Sequence, residues 1–130
     1  MALTGKEGLF LDLKARGLTA EGIRELFPPS SYFTAFIDGA AVPGKAELMD
    51  ALAAGFRFPG YFGRNWDALL DCLRSLPDEI RSEGYILVIN NSSSFLSASA
   101  KDREDFSDVA GEARAFLLEK FKVPFTIVLL

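Results

Sequence analysis

Apolar residues in this chain gather into three short runs separated by stretches with helical spacing. Phe33-Thr34-Ala35-Phe36-Ile37 stops at Asp38-Gly39, Tyr85-Ile86-Leu87-Val88-Ile89 stops at Asn90-Asn91, and Phe125 to Leu130 follows Pro124. Their residue types and the turn signals at their ends mark them as β-strands. The second and third are almost continuously apolar, as strands covered on both faces are. Helical stretches lie between them, so parallel pairing through crossovers follows. The pattern predicts an α/β fold: a three-stranded parallel sheet packed with helices.

Three helices fill the crossovers. Gly44 to Leu52 places Leu48, Met49 and Leu52 on one face. A second helix starts after Gly63 with Asn65 as its N-cap, aligns Trp66, Leu69, Leu70, Leu73 and Leu76 as a buried stripe, and ends at Pro77. The third runs from Lys101 to Lys122, with Phe106, Val109, Ala110, Ala113, Phe116, Leu117 and Phe121 inward. Residues 1–31 read as a short N-terminal helical extension, closed by Pro28-Pro29-Ser30-Ser31 and followed by a domain over 32–130. In it Thr19 caps a helix over Ala20 to Phe27, with Leu18 and Ile23 spaced as a hydrophobic staple. Leu9, Leu11, Ile23, Leu26 and Phe27 are expected to pack this extension onto the core, since together they would otherwise leave an apolar patch in water.

Composition narrows the function classes. The 130 residues suffice for one domain with a real core, and 49% hydrophobic against 25% charged excludes disorder. A formal net charge of −4 and an isoelectric point near 4.8 work against direct nucleic-acid binding and favour a basic protein partner. Histidine is absent, which removes the commonest general base and the commonest metal ligand. The single Cys72 has no internal disulfide partner and sits among apolar neighbours as a small core residue. No secretory leader pattern is present, because Leu9-Phe10-Leu11 is halted by Asp12, and no apolar run is long enough to span a bilayer. The expectation is a cytoplasmic protein with no membrane association.

The densest chemistry lies in FPGYFGRNWDALLDCL, Phe58 to Leu73, where a Pro/Gly/aromatic loop runs into a helix. Asp67 and Asp71, at i and i+4, stand one above the other on its exposed stripe, beside Tyr61. That compact anionic patch suits the docking of something cationic. Plainer readings exist for each residue. Asp67 lies in the first turn, where the helix dipole favours an acid. Asp71 lies beyond that benefit, and pairing it with Arg64 or Arg74 would be an exposed contact of little worth. Tyr61 is either a core-edge aromatic or an interface anchor. Gly63 is expected to supply a positive φ before the helix. Asn65 is a cap before it is a contact. The stripe Glu104, Asp108, Glu112 is a solvated face or an extension of the acidic patch. A carboxylate- or Mg²⁺-dependent hydrolase at Asp67 and Asp71 is the weakest alternative, with no histidine, phosphate-cradling loop or third acid in the motif.

The same sixteen residues, with Asp38-Gly39, Thr126-Ile127-Val128-Leu129 and the order strand, helix, helix, strand, helix, strand, resemble the barstar family of ribonuclease inhibitors. The resemblance covers about Phe33 to Leu130 and leaves the N-terminal segment aside. It implies a barstar-like fold and a non-enzymatic inhibitor of a basic, barnase-like ribonuclease, blocking the enzyme's active site with the loop and second helix. It implies no cofactor or metal, a chain monomeric when free, and an immunity or antitoxin role. Carried over by position, Tyr61, Gly63, Asn65, Asp67 and Asp71 face the enzyme, with Asp71 the central anion. Three departures stand out. Leu70 occupies a position where the best-known member has tryptophan, Trp66 one where it has leucine, and Arg64 replaces an acid beside the face. They leave room for a second reading: a module of the same fold that binds another basic partner.

Overall fold

The computed structural model describes residues 8–130, so residues 1–7 of the expected extension lie outside it. Its elements are β1 (Phe10–Asp12), α1 (Ala20–Leu26), β2 (Tyr32–Asp38), α2 (Lys45–Gly55), α3 (Trp66–Arg74), α4 (Leu76–Glu79), β3 (Gly84–Asn90), α5 (Ala100–Phe121) and β4 (Phe125–Leu129). The sheet has four parallel strands in the order β1-β4-β3-β2, which corrects the expected three. The added strand comes from the N-terminal segment, so that segment is not purely helical. Phe10 pairs with Ile127 and Leu11 with Val128, and the Ile127 N–H donates to the Leu9 carbonyl at 2.7 Å. Three residues ending in an aspartate show neither alternation nor a run. Strand β1 is specified by the open edge of β4, not by its own pattern.

Alternation along the strands divides the interior in two. Ala35 and Ile37 of β2, Tyr85, Leu87 and Ile89 of β3, and Phe125 and Ile127 of β4 enter the main core with Leu48, Met49, Leu52, Leu69, Leu73, Phe106 and Leu117. Ile86, Val88 and Val128 point to the other side, where Leu13 and Ile23 cover them with Leu18 and Phe27 alongside. The Thr19 hydroxyl accepts from the Gly22 N–H at 3.3 Å, so the expected cap of α1 is present. Leu11 and Leu26, however, do not pack inward; they are 39% and 49% exposed. A seven-residue helix offers one inward stripe, occupied by Ile23 and continued by Phe27 just past its end.

The helices hold to their expected faces with two corrections. Helix α3 ends at Arg74, before Pro77, with the Ser75 N–H bonded to the carbonyls of Asp71 and Cys72. Leu76 then opens α4 with Pro77 in its first turn, where a missing N–H leaves no bond unmade. Phe121 is 39% exposed, because α5 closes there on left-handed Lys122; its ring meets Phe116 edge-on. Trp66 and Leu70 are half-buried flanks of the α3 stripe, whose centre is Leu69 and Leu73.

Candidate functional site

The loop ahead of α3 is rooted by aromatics. Phe62 is buried, its ring centre 5.0 Å from that of Phe58, which stacks in turn on Phe56 at 6.1 Å. The Phe62 N–H closes a tight turn on the Pro59 carbonyl at 3.0 Å, and the Phe58 N–H reaches the Ala53 carbonyl at 2.9 Å. With Phe58 and Phe62 facing inward, Tyr61 is turned out and is 85% exposed. It is not a core-edge ring.

The junction with the helix is built differently from expectation. Gly63 does not take a positive φ; the left-handed residue is Arg64, at φ 52°. What Gly63 provides is room, since a Cβ there would lie 3.3 Å from both the Ala68 Cβ and the Asn65 Nδ2. Asn65 caps α3: its Oδ1 accepts from the Ala68 N–H at 2.8 Å, and its Nδ2 donates to the Gly63 carbonyl at 3.3 Å. One side chain thus fixes both the first turn of the helix and the loop that enters it.

Asp67 and Asp71 stand exposed on α3, and neither side chain has a hydrogen bond or ion pair among the described residues. The two cations that could have neutralised them are engaged elsewhere. Arg64 Nε donates to Asp50 Oδ1 at 2.8 Å, and Arg74 pairs with Glu112 of α5 at 3.8 Å while lying over the Phe116 ring. Glu112 therefore sits beside the C-terminal end of the α3 stripe, and Glu104 and Asp108 are exposed further back along α5. Trp66 lies under the Lys45 ammonium, 5.5 Å from ring centre to nitrogen.

On the loop side, Asp71 borders a cleft of about 100 Å³ with Phe58, Pro59, Tyr61, Cys72, Ser75 and Glu79. Glu79 has no counterpart in the sequence reading. Its signal was Pro77-Asp78-Glu79, a proline followed by two acids, which is the composition of a helix start. The Cys72 thiol is pushed up from its ordinary range by burial first, then by the charges of Asp71 and Glu79. It stays protonated and is a poor nucleophile. Among the described residues, no group of three or more His, Cys, Asp or Glu is placed to hold a metal ion, and no helix is long and apolar enough to cross a membrane.

Two comparisons bear on this arrangement. The family model described as Barstar (barnase inhibitor) matches residues 32–130. A protein of Bacillus subtilis (strain 168) named "Putative ribonuclease inhibitor YrdF" is 37% identical over 90 residues, which span 67% of this chain and 91% of that protein.

Proposed function

The chain belongs to the barstar family of ribonuclease inhibitors, which are not enzymes, and from that premise we propose that it occludes the active site of a basic, barnase-like ribonuclease with its acidic loop and α3. One observation carries the proposal. Asp67 and Asp71 are presented outward on a capped helix, with both nearby arginines committed to other acids.

A ribonuclease active site gathers cations to stabilise phosphoryl charge. A carboxylate held on a rigid element satisfies those cations and offers no bond to cleave. In this reading Asp71 takes the position of the substrate phosphate, with Asp67 one turn back. Tyr61 supplies rigid contact area beside it. Gly63 and Asn65 hold the loop close enough for both to meet one surface. Recognition belongs to residues 32–130; the segment before them serves the sheet. Complementary charge also speeds encounter, so binding should weaken as salt rises. The biological role that follows is immunity: protection of the cell from a ribonuclease toxin.

The test is inhibition of RNA cleavage by barnase, with wild type, Asp71→Ala and Asp67→Ala compared. Asp71→Ala is expected to weaken binding by at least about 2 kcal/mol, roughly 30-fold, the threshold of a hot spot in protein interfaces generally, barnase with barstar included. Asp67→Ala should fall less, with melting temperatures of both near wild type. Unchanged inhibition by both variants rejects the assigned face. Failure against barnase with salt-sensitive capture of a different basic protein transfers the same face to another target.

A further inference from the structure

We infer that Asp50, on α2 and outside the proposed docking face, is a positioning residue that sets the charge of that face by holding Arg64 away from it. The inference rests on the reading that Asp67 and Asp71 meet the ribonuclease. Arg64 is the one cation between Phe58 and Leu73. It stands three residues before Asp67, at the entry to α3, where a positive charge opposes the helix dipole. Free in solution, its long side chain would satisfy Asp67 and mask the stripe.

The structure sends it elsewhere. Arg64 adopts a left-handed backbone at φ 52°, a conformation that disfavours a residue with a Cβ. From there its Nε donates to Asp50 Oδ1 at 2.8 Å, and its guanidinium carbon lies 6.0 Å from the Phe62 ring centre. Both side chains of the pair are more than half exposed, at 55% and 68%, so the contact adds little to stability. Its consequence is directional: one acid that never meets the partner keeps a cation off two acids that do. Removing Asp50 should therefore harm recognition more than the loss of one distant charge explains.

The experiment measures association rates with barnase for wild type, Asp50→Ala, Arg64→Ala, the double variant, and Asp71→Ala, at low and high salt. Asp50→Ala is expected to slow association about threefold at low salt, with the difference gone near 1 M salt, where screening acts within about 3 Å. In the Arg64→Ala background the same substitution should change the rate by less than about 1.5-fold. Equal slowing in both backgrounds means that only the charge of Asp50 mattered, and overturns the inference while the Asp71→Ala effect stands. If Asp71→Ala associates and dissociates as wild type does, or wild type does not bind barnase, the underlying reading has failed first.

Discussion

On one side of the sheet, Leu13 and Ile23 close over Ile86, Val88 and Val128. On the other, α3 buries Leu69 and Leu73 in the main core and turns Asp67 and Asp71 to solvent. Both coverings are amphipathic segments, yet they divide their labour differently. The N-terminal cover derives its value from its inward face alone, and its outward face carries scattered charge. Helix α3 uses its inward face to be rigid, and in the proposed function its outward face meets the partner. A carboxylate without a hydrogen bond or ion pair of its own can be spared for a partner, provided its scaffold is stable without it.

That contrast can be broken in four ways. Ile23→Ala, at a wholly buried position, should lower unfolding free energy by about 2–5 kcal/mol in denaturant titration while leaving ribonuclease affinity as it was. A matching loss of affinity in the folded protein would mean that the two sides are coupled. Tyr61→Ala should do the reverse, weakening binding by about 1–2 kcal/mol, roughly 5- to 30-fold, with the melting temperature unmoved. Asn65→Ala bridges the two. Loss of the cap should remove about 1 kcal/mol of stability, with a smaller fall in affinity as the first turn of α3 loosens, read by calorimetry and inhibition on the same samples.

The smallest effect concerns an acid of the opposite kind. Asp38, at the end of β2, accepts from Asn91 Nδ2 at 2.8 Å and from the Ala40 N–H at 3.0 Å. The Asn91 bond first, and the Ala40 bond second, hold its carboxyl below the ordinary aspartate value of 3.8. A depressed folded value contributes stability above 3.8 that disappears as pH falls through the folded value. The stability difference between wild type and Asp38→Asn should therefore shrink below that pH, with inhibition at neutral pH alike in both. A difference that persists unchanged in acid would show that the ionised carboxylate is not its source.

What the sequence disclosed follows the range of each interaction. Strands β3 and β4 announced themselves because two-sided burial writes a run of apolar residues, and β2 did so through its β-type residues and the turn signal Asp38-Gly39. The i, i+4 spacing of Asp67 and Asp71 and the cap at Asn65 were equally local, and so were legible. Strand β1 was not, since its pairing depends on β4, more than a hundred residues away. Nor was Glu79 beside Asp71, which needs α4 to fold back against the loop, nor the left-handed turn at Arg64, whose partner Asp50 lies on another helix. The fold was read down to its edge strand. Of the loop and α3, the sequence showed the exposed acids and the cap, and hid the contacts that position them.

The brevity of β1 has a consequence for handling the protein. Strand β1 has three residues and one neighbour, and its pairing must close a very long loop, so it is the natural place for fraying to begin. Its departure would bare the backbone of β4 along Ile127 and Val128, an apolar rim ready to recruit the same rim of a second molecule. Concentrated stocks are thus expected to clump before they lose helicity, and a change that anchors Phe10 and Leu11 more firmly should prolong shelf life without touching Asp67 and Asp71 on α3.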